Sequence, residues 1–248
     1  MQILNIAAYK FVPLNGLEGL QAALRATLAA GQLKGTVLLA EEGINLFLAA
    51  PRPAMDDFFT WFRQDARFAD LVVKESWSAV QPFGKLMVKI KPEIIRMNHP
   101  AIQPASGRAP AVSPATLKRW LDNGQDDSGQ PVVLLDTRNT FETDVGSFHN
   151  AIDWRLAKFT DFPQAFLDHK ASLAGKAVVS YCTGGIRCEK AALFMRAAGL
   201  DNVYQLDGGI LQYFEVNGPA HFDGHCFVFD DRRAVDARLE PQVQPPPG

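Results

Sequence analysis

The sequence predicts an α/β protein of two domains, a split β-α-β-β-α-β sheet followed by a parallel sheet with interleaved helices. Three observations predict it. The first 95 residues alternate strand-length apolar runs with leucines at helical spacing. A proline-rich break follows at 98–114. Beyond it, short apolar runs lead through turns and glycines into helical patterns, the order of βα units. A length of 248 residues fits two domains at about 100–150 residues each.

Ile3 to Tyr9 reads as the first strand. Leu17, Leu20, Leu24 and Leu28 then mark one face of an alanine-rich helix that Gly31 ends. Leu33 to Ala40 reads as a strand, Glu41 to Asn45 as a turn, and Leu46 to Ala49 as the returning strand. Pro53 opens a helix carrying Phe58, Phe59 and Phe62. Leu71 to Lys74 and Leu86 to Ile90 are further strands. This order is that of a ferredoxin-like (acylphosphatase-like) domain, expected over residues 1–97. Pro100, Pro104, Pro110 and Pro114 make 98–114 an expected extended linker.

In the second domain, expected over 115–220, Val132 to Leu135, Ala177 to Tyr181 and Val203 to Leu206 are buried-strand runs. Helices are expected through Ala191 to Met195, starting near Cys188, and from Ile210. Parallel sheets carry their sites beyond the strands' carboxyl ends, and Cys182 stands at one such end. Residues 221–248 are expected as a C-terminal extension, loose from about 230 to Pro245-Pro246-Pro247-Gly248.

The composition, 47% hydrophobic and 21% charged, is that of an ordinary folded chain rather than a disordered one. No apolar run nears the ~20 residues a membrane helix needs, and Met1 to Asn5 lacks the features of a secretory signal. A cytoplasmic enzyme is the expectation. Three cysteines do not make a disulfide framework. The net charge of −2 is unevenly spread: Lys74 to Arg119 holds eight basic residues against Glu75 and Glu93. Such a stretch suits phosphates, and Trp77, Phe83 and Trp120 in or beside it could stack on unpaired bases. The same pattern also fits a solvated face over core aromatics. Lys85, Lys89, Lys91, Arg96 and Lys190 are candidate RNA contacts.

The segment Cys182-Thr183-Gly184-Gly185-Ile186-Arg187 carries the chemistry. A thiol with the usual value of about 8.5 is mostly neutral at pH 7, so a reactive one needs help. Gly184 and Gly185 let backbone N–H groups turn inward around a sulfur. The following helix would aim its positive end at the loop, and Arg187 would place a guanidinium near any anion there. A merely structural buried cysteine would need none of these features. Four residues separate Cys182 from Arg187, one fewer than in cysteine-dependent phosphatases. A tighter ring suits a sulfur-sized atom better than a phosphoryl group.

This loop, the βα pattern and Asp136-Thr137-Arg138 together resemble a rhodanese domain. Longer strings sharpen the resemblance: Asp136-Thr137-Arg138-Asn139, Gly146-Ser147-Phe148, Ala151-Ile152-Asp153, Cys182 through Ala191, and Leu206-Asp207-Gly208-Gly209-Ile210. With Glu41-Glu42-Gly43-Ile44-Asn45 between two strands, residues 3 to 235 resemble the rhodanese-containing tRNA uridine(34) hydroxylase family. The chain is similar to the family's short form, without the cysteine-rich C-terminal segment of longer members. Asp153-Trp154 departs from the proline that relatives often carry there. The resemblance implies oxygen-dependent conversion of the wobble uridine to 5-hydroxyuridine, with Cys182 as the essential cysteine. It implies molecular oxygen as co-substrate and tRNA, through its anticodon arm, as partner. No metal is carried over.

Other residues have narrower readings. Cys188 could resolve an oxidised or persulfidated Cys182, or simply pack in the helix's first turn. Asp136 and Arg138 either orient the loop or fix their own βα turn. His221, His225 and Cys226 lack a fourth metal ligand, and His99, His149 and His169 are isolated. No nucleotide or flavin motif occurs, so no bound cofactor is expected, and nothing indicates an obligate protein partner or a membrane. Two other functions use some of the same features. A sulfurtransferase would work through a Cys182 persulfide, and a non-catalytic tRNA-binding adaptor would need only the basic surface.

Overall fold

The computed structural model describes residues 2–242; the Pro245 to Gly248 end of the expected tail lies outside them. The chain divides into two units, one comprising the residues through Ile94 with Phe229–Arg233, the other Ile95–Val228 with Ala234–Leu239.

In the first unit the elements run β1 (Ile3–Phe11), α1 (Leu17–Ala30), β2 (Lys34–Ala40), β3 (Gly43–Ala50), α2 (Arg52–Phe62), β4 (Val73–Ser78) and β5 (Leu86–Ile90). The strands form one sheet in the order β4-β1-β3-β2-β5. All pairings are antiparallel except β2 with β5, which adds a fifth strand to the expected split unit. Alternation assigns the faces. Leu4, Ile6 and Ala8 of β1, Ile44, Leu46 and Leu48 of β3, and Val88 of β5 share a core with Leu24 and Leu28 of α1 and Phe58 and Phe62 of α2. Lys85, Lys89 and Lys91 therefore lie on the face away from the helices, all exposed. Phe229–Arg233, expected to be loose, packs within this unit. Arg232 donates to Ser76 Oγ at 2.8 Å, and the Phe229 ring lies 6.0 Å from that of Phe47. Arg232 is itself fixed by Asp230 at 2.6 Å, which a run of charged residues does not announce in sequence.

The second unit contains β6 (Ala111–Val112), α3 (Pro114–Asn123), β7 (Val132–Asp136), α4 (Thr140–Thr143), β8 (Gly146–Phe148), β9 (Ile152–Asp153), α5 (Phe162–His169), β10 (Ala177–Tyr181) and α6 (Ile186–Ala197). After these come β11 (Val203–Leu206), α7 (Gly209–Asn217), β12 (Phe222–Gly224), β13 (Cys226–Phe227) and β14 (Ala234–Val235). The main sheet, β6-β11-β10-β7-β9, is parallel throughout. Its central strand β10 is buried along its whole length, as its unbroken apolar run requires. The stretch expected as a linker is partly built in: Ala111 and Val112 pair with β11, and Pro104 and Ala109 are buried. Small pairs β12-β8 and β13-β14 complete the unit. Among the described residues no helix is long and apolar enough to cross a membrane.

Candidate active site

Cys182 follows β10 directly and is completely buried. The chain turns there because Gly185 takes φ +100°, a conformation that a side chain would strain. Of the two loop glycines only Gly185 needs this freedom; Gly184 keeps an ordinary φ and a Cβ there would meet open space. The turn brings the Gly185 N–H to 3.1 Å from Cys182 Sγ, and α6 begins at Ile186, two residues earlier than expected. Cys188 thus stands in the first turn of α6, next to the loop.

The other side of the loop is held by α7. Ile210 N–H donates to the Cys182 carbonyl at 3.0 Å, and Leu211 N–H to that of Thr183 at 3.1 Å. Gly209 makes this approach geometrically feasible: a Cβ there would sit 2.5 Å from the Cys182 carbonyl oxygen and 2.8 Å from Gly185 N. The strings Cys182-Thr183-Gly184-Gly185 and Asp207-Gly208-Gly209-Ile210, 25 residues apart, are one structural object.

Electrostatics decide the state of the sulfur. Burial alone pushes the Cys182 thiol up. It is outweighed by a hydrogen bond from the Cys188 thiol, by the charge of Arg187, and by the N–H groups of Arg187 and Gly185. The balance brings Cys182 down to about 5, so it is a thiolate at neutral pH. Cys188 moves the other way, well above the ordinary thiol value, because burial and the neighbouring thiolate both oppose its ionisation. It remains the donor of the pair, with Thr137 Oγ1 at 3.7 Å on its other side.

Arg187 brings its guanidinium charge to bear on Cys182, and it is itself held in place. It is buried, and Glu142 of α4 grips it with two contacts of 2.5 and 2.7 Å. Burial opposes the charge of Glu142, but Arg187 and the Asn139 N–H hold its carboxyl below the usual range. Glu142 also accepts from Thr183 Oγ1 at 3.3 Å. Sequence reasoning missed Glu142, whose only local signal is three positions after Asn139 at a helix start. It missed Cys226 too, fully buried and near enough to the loop that Thr183 hydrogen-bonds it and the Cys182 charge disfavours its ionisation. Burial is the larger cause and pushes Cys226 up to about 12.

Of the remaining expected residues, Asp136 and Arg138 form a fully buried ion pair, Arg138 Nη2 to Asp136 Oδ2 at 2.7 Å. Arg138 also donates to the Gly146 carbonyl at 2.7 Å, so the pair locks β7 to β8. Ile186 is buried as the first residue of α6. Lys190 is 2% exposed with its ammonium on the Ile95 carbonyl at 3.0 Å, which removes it from any surface. Arg96 is exposed in this unit, bound to Asn98 at 2.9 Å, whereas Lys85, Lys89 and Lys91 belong to the other. His221 turns to Asp122 at 2.7 Å and His149 to Asp223 at 3.0 Å, while Cys226 faces the loop. Among the described residues no group of three such side chains is arranged to hold a metal ion.

Two family models match the chain, a UPF0176 acylphosphatase-like domain over residues 3–94 and a rhodanese-like domain over 113–215. The rhodanese-like domain of an Anabaena protein aligns at 22% identity and a TM-score of 0.37, over 47% of this chain and 80% of that one. Similarity to curated proteins runs nearly end to end. A tRNA uridine(34) hydroxylase of Bordetella petrii is 63% identical, covering 96% of this chain and 95% of the relative. One of Delftia acidovorans is 62% identical over 96% and 90%, and one of Bordetella pertussis 60% over 97% and 99%. With relatives this similar along almost the whole length of both partners, the chain belongs to the tRNA uridine(34) hydroxylase family.

Proposed function

We infer that this protein hydroxylates uridine 34 of tRNA, converting it to 5-hydroxyuridine at the Cys182 loop. The observation that carries the reading is a buried Cys182 whose sulfur is held by the Gly185 N–H at 3.1 Å, in a chain matching a tRNA uridine(34) hydroxylase over 96% of its length. Uridine is unreactive toward oxidants at C5 until electron density is placed there. A thiolate adding to C6 does this, moving an electron pair to C5. Molecular oxygen, brought to the peroxide level by a two-electron small-molecule reductant, then delivers one oxygen atom to C5. The second oxygen atom leaves as water. Loss of the C5 proton expels the Cys182 thiolate and restores the double bond. A thiolate stabilised by Gly185, Arg187 and Cys188 is also a better leaving group, which favours this last step.

The target base must leave its stack, since chemistry on a base requires extruding it. Cys182 is completely buried, so the base reaches the sulfur only after its surroundings open. In this reading the anticodon arm is held through its phosphates by Lys85, Lys89, Lys91 and Arg96, and the enzyme works in the cytoplasm, where tRNA is. The test is deletion of the gene in its host, with 5-hydroxyuridine and its derivatives measured in digested tRNA by mass spectrometry. Wild type should restore the modification and Cys182→Ser should not. If both fail on tRNA in vivo and in vitro while thiosulfate sulfur transfer proceeds, the chain is a sulfurtransferase instead.

A further inference from the structure

We propose that Phe141 is the stacking surface for an unpaired base of the tRNA at the mouth of the Cys182 loop. This rests on the tRNA reading above and names the contact that holds the substrate beside the sulfur.

Phe141 is 48% exposed, although a phenylalanine gains most by burial. It is the single aromatic among the large exposed hydrophobics described in its unit, the others being Leu167 and Val216. Two independent connections place it against the active loop. Through the backbone it adjoins Glu142, whose carboxylate grips Arg187 and accepts from Thr183. Through space its ring meets Phe227 edge to face, centroids 5.1 Å apart, and the Phe227 carbonyl faces Thr183 Oγ1 at 3.4 Å. Glu142 points inward from α4, and its neighbour is left at the rim.

Gly184 is the one half-buried residue of the loop. From Cys182 to Arg187 every residue is buried except Gly184, and open space lies over its Cα. A base entering there needs its neighbours in the strand held unstacked while it is inside. An exposed aromatic face is sequence-tolerant at that task, because every base has a π-face. The edge-to-face contact with Phe227 leaves the Phe141 ring braced in position, which lowers the entropy lost on stacking.

The experiment compares full-length wild type with Phe141→Ala, Phe141→Leu and Phe141→Trp. Binding of a tRNA carrying uridine 34 is measured by anisotropy, and hydroxylation by complementation of the deletion strain. Unchanged thermal unfolding midpoints and unchanged Cys182 thiolate absorbance qualify each variant as folded with an intact loop. The expected result is a Kd raised roughly 5- to 100-fold in Phe141→Ala and Phe141→Leu, with Phe141→Trp near wild type. A Leu variant that binds as tightly as wild type would replace stacking by simple apolar contact and overturn the proposal, as would an Ala variant with unchanged Kd. Wild type that neither binds nor modifies tRNA would instead remove the function on which the proposal rests.

Discussion

Cys182 and Cys226 are both fully buried in one unit, near enough for the charge of one to affect the other, and they sit at opposite ends of the thiol range. Burial raises both. At Cys226, the attraction of Arg138 and the Thr183 hydrogen bond are too weak to offset it, and the thiol is pushed up to about 12. At Cys182, a second thiol, a guanidinium and two backbone N–H groups converge on one sulfur and bring it down to about 5. Reactivity here is therefore set by how many donors point at a sulfur rather than by its depth in the protein.

The largest test of this contrast is chemical. Cys182→Ser should lower uridine 34 hydroxylation by at least about a thousandfold, since a serine hydroxyl is not ionised in that loop. Cys226→Ser should stay within about threefold of wild type in the same mass-spectrometric assay; an equal loss in both variants would break the comparison. Next in size is Glu142→Gln, which removes the carboxylate that grips the buried Arg187 guanidinium. A loss of about 3–5 kcal/mol in urea unfolding is expected. A loss under 1 kcal/mol would mean that Arg187 finds its compensation elsewhere.

Titration sharpens the contrast further. The ultraviolet absorbance of the thiolate, taken as wild type minus Cys182→Ser, should show a midpoint near 5. Cys188→Ala should raise that midpoint by about one pH unit, the worth of one hydrogen bond to a charged group, and Cys188→Ser should largely keep it. The linked stabilities have opposite signs. Cys182 contributes stability that is full above the ordinary thiol value of about 8.5 and lost as pH falls toward about 5. Cys226 contributes stability present below that ordinary value and lost as pH rises toward about 12. Urea unfolding across pH should therefore flatten on the acid side in Cys182→Ser and on the alkaline side in Cys226→Ala. The smallest effect is the methyl-sized cavity of Cys226→Ala itself, about 1 kcal/mol at neutral pH.

Much of this was legible in the sequence because it is local. Ala177 to Tyr181 followed by two glycines and an arginine announces a buried strand, a turn and a helix within a dozen residues. The leucines of α1 and the phenylalanines of α2 show their faces in the same way. What was not legible depends on partners distant in sequence. Glu142 meets Arg187 from 45 residues away, and one carboxylate among 27 acidic residues gives no hint of this. Lys190 looks like a surface cation until α6 is seen to be buried on nearly all sides. Residues 111–112 are too short to read as a strand without β11 beside them, and proline density pointed to a linker. Phe229–Arg233 resembles a tail because its anchors, Ser76 and Phe47, lie more than 150 residues earlier.

Gly209 has a consequence for anyone moving this chemistry to another scaffold. The six-residue loop does not hold its own shape; the start of α7 acts as the other half of a mould around it. Grafting Cys182 through Arg187 onto a foreign strand–helix junction would transfer the reactive atom without its cast. A working transplant has to carry Asp207 through Leu211 as well, in register, as a two-part cassette.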